Sequence, residues 1–321
     1  MYIGFVARCE PPHRWSVIAL DLVSRVAPSA ARTAGRGSEV TARCWGTRGS
    51  IPSPGPSTVR YGGNTTCFEV RHQGHRLIFD AGSGIRLLGT EIVERGPNAI
   101  HIFLTHFHWD HIQGFPFFAP LYDAEDVIKV MAPKQRDIDV QNLFAGQMGP
   151  IYFPVPFSVV AAAMEFEHMN EGAREVEGAS LEVIRVKHPS FVLGYRIRIG
   201  GQTICFIPDN EMAGDGYEVG EGWDGRLRDF VADADLLIHD SMYTEEEYAA
   251  RVGWGHSTFD QSVRLAEDGG VKRLLLFHHD PTRSDDELDA IVGRLRDEAL
   301  ARGSSLEIEA AAEGVDIRLG E

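Results

Sequence analysis

Cysteine is scarce in this sequence and never paired. Cys9, Cys44, Cys67 and Cys205 are the only four in 321 residues, and no two stand at CxxC spacing. That excludes a cysteine-ligated zinc finger and a disulfide scaffold, and it leads to the expectation of a reduced, cytoplasmic chain. Positive charge is also short: 31 Lys and Arg oppose 47 Asp and Glu, for a formal net charge of −16. Binders of nucleic acid or anionic membranes carry a basic footprint, so extended nucleic acid is not the expected partner. A small anion needs only local positive charge. No apolar run approaches the ~20 residues of a membrane helix, and the stretch Trp15 to Val23 is interrupted by Asp21. Internal repeats and low-complexity tracts are absent as well.

With 321 residues the chain can bury ~75% of its unfolded surface, so it needs neither disulfide nor structural metal to fold. Residues 1–39, rich in Ala, Arg and Pro and ending in Ala34-Gly-Arg-Gly-Ser38, read as a poorly ordered extension with one short helix around Ser16 to Val26. Residues 40–321 read as one domain. Strands are expected at Val40–Trp45, Ala99–Leu104, Val127–Met131, Leu181–Val186, Leu193–Ile199, Thr203–Ile207, Leu236–His239 and Arg273–Phe277. A hairpin pairs Thr66–Arg71 with Arg76–Phe79 around a His72–His75 turn. Helical spacing marks Ile85–Glu94, a helix start at Asp137–Leu143, then Phe259–Glu267 and Asp285–Arg302. Strands interleaved with a few helices point to a layered α/β protein.

The chemistry concentrates in Thr105-His106-Phe107-His108-Trp109-Asp110-His111, four ligand-type residues within six positions at the end of an apolar strand. In extended chain, residues two apart point the same way, so His106 and His108 can grip one ion, while Asp110 and His111 face a second where the chain turns into a helix. Imidazole and carboxylate suit zinc, manganese or iron. Three further strands end in a candidate ligand: His188, Asp209, and either His278 or its neighbour His279. Strand C-termini are where open α/β sheets build their sites. Asp80 is expected to hydrogen-bond a ligand histidine. His239 reads as buried and hydrogen-bonded, and His72, His75, His101 and His168 as surface or structural. The Gly46–Gly63 loop, with Arg48, Arg60 and Tyr61, is a candidate substrate rim. Tyr152, Phe153 and Phe157 either form a lid or pack a long loop onto the sheet.

The set Thr105–His111, His188, Asp209 and His278 resembles the metallo-β-lactamase-fold hydrolase superfamily from about Val40 onward. The resemblance implies a four-layer αββα sandwich with two divalent ions, zinc first and manganese or iron as alternatives, at one sheet edge. His106, His108 and His188 would hold one ion, Asp110, His111 and His278 the other, and Asp209 would bridge them. Gly255-His256-Ser257-Thr258, followed by a helix and Leu274-Leu-Leu-Phe-His-His-Asp-Pro281, is similar to the C-terminal half of the tRNA 3′-processing endonucleases (RNase Z) and related phosphodiesterases. Leu237-Ile-His239-Asp240-Ser241 resembles their His-Glu-Ala-Thr segment, and Asp80-Ala-Gly-Ser-Gly84 their Asp-x-Gly-x-Gly turn. This implies that Asp110 orients or deprotonates a water. His256 would protonate the leaving oxygen or bind a non-bridging one, with Asp240 setting its tautomer. Without the resemblance, Ser257 or Thr258 simply caps the following helix. Related enzymes often form homodimers, but no interface is legible here.

One departure bears on the substrate. Only 20 residues separate His188 from Asp209, all strand-like, whereas the tRNA-processing relatives carry a long glycine- and proline-rich arm in that interval. Together with the net charge of −16, this favours a small phosphodiester such as a cyclic nucleotide over tRNA. A lactonase or thioesterase of the same fold is the alternative enzyme, against which the His-Ser-Thr loop argues. A nucleotide-binding sensor without turnover is the non-enzyme alternative, against which the complete ligand set argues.

Overall fold

Apolar residues recur at every second position, or continuously, in most of the four- to eight-residue strands that pair into two sheets. The structure, a computed structural model, describes residues 39–96, 99–135 and 138–320. The expected extension up to residue 38, with its helix, lies outside the described residues, as does Asp137.

The first sheet takes β1 (Val40–Gly46), β2 (Cys67–His72), β3 (His75–Phe79), β4 (Ala99–Phe103), β5 (Val127–Pro133) and β6 (Ala163–Met169). The second takes β7 (Gly172–Val176), β8 (Ala179–Val186), β9 (Val192–Ile199), β10 (Gln202–Ile207), β11 (Leu236–Asp240), β12 (Arg273–Phe277) and β13 (Glu307–Ala310). The last strand, β14 (Asp316–Leu319), returns to the first sheet beside β1. The orders are β14-β1-β2-β3-β4-β5-β6 and β13-β12-β11-β10-β9-β8-β7. β3 to β6 run parallel, as do β10 to β13, while the remaining pairs are antiparallel. Consecutive strands β6 and β7 occupy corresponding edges of the two sheets, and so do β13 and β14. The sandwich is therefore stitched on both sides by short links, 170–171 and 311–315.

Facing side chains of the two sheets form one core. Phe68 stacks on Phe206 with centroids 5.1 Å apart, and Phe79 meets Tyr195 at 5.2 Å. Each such buried ring contributes roughly 1.5–3 kcal/mol by leaving water. The outer face of the first sheet is covered by α1 (Ile85–Val93) and α3 (Val140–Gln147), with the one-turn α2 (Trp109–Ile112) between them in sequence. The outer face of the second carries α4 (Trp223–Val231), α6 (Phe259–Asp268) and α7 (Asp285–Ala301), with the one-turn α5 (Glu245–Tyr248) preceding α6. This is the αββα sandwich that the resemblance implied.

Most expected elements are present, with shifted ends. The hairpin is tighter than the expected His72–His75 turn: His72 and His75 are themselves paired, and Gln73 and Gly74 alone turn the chain, both at positive φ. Within the expected Asp137–Leu143 start, α3 begins at Val140, where Asp139 accepts a hydrogen bond from the Asn142 N–H. β6 and β7 escaped the sequence reading because their Glu, Arg and His residues blur the apolar alternation at a sheet edge. Four-residue β13 and β14 are too short to show a period.

Candidate metal centre

The C-terminal ends of β4, β8, β10, β11 and β12 converge at one edge of the sandwich. Beneath this edge the sheets are tied together: Leu193 N–H donates to Thr105 O (3.0 Å), and the Tyr195 hydroxyl donates to Leu104 O (2.6 Å). The chain leaving β4 is braced by Asp80, which is fully buried at the end of β3. One Asp80 oxygen accepts from Thr105 N–H at 2.7 Å, and the other lies 2.8 Å from His111 Nδ1. Asp80 therefore fixes the His111 tautomer and leaves Nε2 facing the site, as expected of it. Asp80 and His278 both adopt left-handed backbone (φ 61° and 60°), a conformation costing on the order of 1–3 kcal/mol that persists where function demands a side-chain direction. Gly49 is obligatory beside them, since a Cβ there would lie 2.4 Å from the His278 ring.

Two pockets result. His106, His108, His188 and Asp209 bring one ligand atom each within 4.8 Å of the others, and Asp110, His111 and His278 do the same. Asp209 reaches both: Oδ2 lies 3.6 Å from His106 Nε2 and 3.9 Å from His188 Nε2, and Oδ1 lies 3.1 Å from His111 Nε2 and 3.4 Å from His278 Nε2. His188 Nε2 is 3.3 Å from His108 Nδ1, and His278 Nε2 is 3.1 Å from Asp110 Oδ2. Four ligands at ~2.0–2.1 Å around a tetrahedral zinc stand about 3.3–3.4 Å apart, so these separations suit a metal cage. Buried His106 Nε2, His111 Nε2 and Asp209 Oδ1 make no hydrogen bond, a costly arrangement unless a cation takes their lone pairs. All seven expected ligands are thus brought together. His279 is not among them: its Nε2 donates to Ala311 O at 2.9 Å.

The electrostatics fit a cation as well. Burial, together with neighbouring His111, pushes the His106 imidazole well below its usual range, and burial lowers His188 to about 4. Both are neutral ligands in waiting. Burial alone would lower His111 too, but Asp209, Asp110 and Asp80 together drive it well above its usual value. Three buried carboxylates around one imidazole are a deficit of positive charge that divalent ions would fill.

His256 lies beside the second pocket, its ring stacked on His278 at 4.8 Å and edge-on to His188 at 5.4 Å. Its Nδ1 donates to Asp240 Oδ2 at 2.7 Å. Burial lowers this imidazole, but Asp240 more than reverses the effect and raises it to about 9. Thr258, two residues on, caps α6 in a capping box with Gln261, so the helix is a rigid mount for His256. His239 is buried and bonded to Ser262 and Asn210, as expected.

Three expectations about the surroundings change. Arg48 is no rim residue: it is wholly buried and donates to the carbonyls of Gly62, Asp280 and Arg283. Arg60 pairs with Asp286 and Asp289 at the start of α7, where Tyr61 also donates to Asp289 (2.6 Å). The Gly46–Gly63 loop is a strap, and it meets the site where Gly49 lies against the His278 ring and where Ser50 N–H donates to Asp110 Oδ2 (2.7 Å). Phe153 and Phe157 pack onto the outer core of the first sheet, while Tyr152 is exposed. The sequence reading missed Ser50 N–H, the Gly255 carbonyl that lies 2.8 Å from His188 Nδ1, and the buried Glu211. Backbone groups carry no residue signature, and Glu211 had only its place two residues after Asp209 to recommend it.

Residues 75–279 match the Beta-lactamase superfamily domain. The chain belongs to that superfamily, with the metallo-β-lactamase fold. It is 25% identical over 272 residues to the ribonuclease Z of Natronomonas pharaonis, covering 73% of this chain and 84% of that one. Among solved structures, unliganded yeast PDE1 superposes with a TM-score of 0.64 at 14% identity, covering 88% of this chain and all of that one (100%). A diphosphatase from the PhnP family superposes at 0.61 with 18% identity, covering 88% and 97%. The chain is related to the RNase Z-like branch of the fold, and fold and clustered ligands together make it a metal-dependent hydrolase. Among the described residues no helix is long and apolar enough to cross a membrane.

Proposed function

We propose that this hydrolase is a phosphodiesterase acting on a small phosphodiester, a cyclic nucleotide or a comparably compact diester. The carrying observation is the pair of adjoining pockets sharing Asp209, with the His256–Asp240 pair at their side. Seven side chains would hold two divalent ions: His106, His108 and His188 around one, Asp110, His111 and His278 around the other, and Asp209 between. When bound, the ions supply Lewis-acid charge that polarises phosphoryl oxygens and acidifies water. Asp110, its carboxylate tethered by Ser50 N–H, orients the attacking water. Asp240 takes the His256 Nδ1–H, so Nε2 is the nitrogen that donates to the leaving oxygen or to a non-bridging one. His278 stacked on one face of the His256 ring limits its rotation.

Substrate size follows from what joins His188 to Asp209. β9 and β10 fill that interval and are linked by Gly200 and Gly201 alone, both at positive φ. No length remains there for an arm to grip tRNA, and the acidic chain offers little to a polyanion. The names ribonuclease Z and diphosphatase among the relatives support a phosphorus centre over a carboxylic ester. The test is turnover of bis(p-nitrophenyl) phosphate and a cyclic-nucleotide panel by protein reconstituted with Zn²⁺, Mn²⁺ or Fe²⁺, beside lactone and thioester panels. Hydrolysis confined to lactones or thioesters would overturn the proposal. Nucleotide binding that persists undiminished in chelated protein, without turnover, would favour a sensor.

A further inference from the structure

Glu211 is fully buried, yet among the described residues no lysine or arginine pairs with its carboxylate. Each of its oxygens instead takes one tyrosine hydroxyl and one glycine N–H. Oε1 accepts from the Tyr248 hydroxyl and Gly253 N–H, both at 2.7 Å. Oε2 accepts from the Tyr217 hydroxyl and from Gly255 N–H at 2.8 Å. Every lone-pair direction is used. A carboxylate so fully satisfied by neutral donors from three separate segments is a clamp, and what it clamps is the loop leading into His256.

That loop holds His188. The carbonyl of Gly255 lies 2.8 Å from His188 Nδ1, so it receives that N–H and leaves Nε2 facing His108 and Asp209. Gly255 has φ +93°, and a Cβ there would stand 2.3 Å from His188 Nδ1. The peptide therefore presses directly against the imidazole and cannot be replaced by a side chain. Glu211 also anchors the chain just ahead of that histidine, because its own N–H donates to the carbonyl of Lys187 at 2.8 Å. Asp209 stands two residues before it at the end of β10.

We infer that Glu211 is a positioning residue for the first pocket: it fixes the Gly255 carbonyl, which sets the tautomer and direction of His188 relative to Asp209. The inference rests on the metal-centre reading above. Outer partners of a ligating histidine typically govern affinity by 10–100-fold. The effect is expected to fall on that pocket, since none of the Glu211 carboxylate's hydrogen bonds goes to Asp110, His111 or His278.

The experiment titrates full-length, metal-free protein with Zn²⁺ against a chelating indicator, and measures bound zinc per chain after dialysis. Glu211→Gln puts an amide nitrogen, which cannot accept, opposite an N–H and a hydroxyl. One of the two zinc ions is expected to bind about 10–100-fold more weakly, with the other unchanged. Tyr248→Phe removes a single donor and keeps the fold testable should Glu211→Gln fail to accumulate; it is expected to weaken the same ion by a smaller factor. Wild-type affinity for both ions in both variants overturns the inference. So does parallel weakening of both ions, because a merely structural carboxylate would disturb the edge as a whole. A wild-type chain that binds no zinc would instead overturn the metal-centre reading itself, a result separable from either.

Discussion

The two sheets furnish the site in opposite ways. The first sheet supplies His106, His108, Asp110 and His111 from one seven-residue segment, held by a side chain of a neighbouring strand, Asp80. The second supplies His188, Asp209 and His278 from three separate strand ends, and it holds His188 through a backbone carbonyl. One half is local in sequence and braced by a recognisable residue type. The other exists only once several strands are in register. A metal centre can thus be half motif and half tertiary structure, and the halves should fail differently.

Asp209→Ala should do the most damage, because Asp209 belongs to both pockets. Bound metal is expected to fall from two ions to at most one, and phosphodiester turnover by more than the ~10⁴-fold that bounds loss of a general acid or base. Elemental analysis alongside kinetics checks both. Next comes His256→Ala, expected to cut turnover by roughly 10²–10⁴-fold while both ions stay bound. Unchanged turnover would remove His256 from the chemistry and leave the pockets standing. Asp80→Asn sharpens the contrast from the first sheet's side. It should weaken the ion held through His111 by about 10–100-fold and spare the other, the mirror image of the Glu211 variant. The smallest effect is expected from Arg60→Ala. Its side chain serves the strap onto α7, so turnover and KM should both stay at wild-type values. A raised KM would return the loop to the substrate rim.

The same division decides how much could be read beforehand. The histidine motif was legible because four ligand-type residues crowded into six positions seldom serve any purpose but holding metal. His188, Asp209 and His278 were legible only as residues at the ends of apolar strands, and only the resemblance joined them into one set. His278 could not be separated from His279 by type. The separation comes from backbone direction: at φ 60° His278 turns inward, while His279 points at Ala311. Arg48 misled because a cation in a glycine-rich loop suggests an anion. Its guanidinium is spent instead on three carbonyls, one in its own loop and two in the segment after β12. The strands that went unread, β6, β7, β13 and β14, are all outermost in their sheets, where one flank faces solvent and selection for apolar alternation is weak.

The link between β13 and β14 carries a consequence for biosynthesis. His279 leans on the Ala311 carbonyl within that link, and β14 completes the first sheet against β1, whose residues are translated long before it. A nascent chain still lacking residues 311–319 already contains every candidate ligand, but His279 lacks its Ala311 acceptor and β1 has an open flank. The first sheet is therefore complete only once β14 has emerged from the ribosome. Until then, the bare β1 edge is the surface that a chaperone would need to shield.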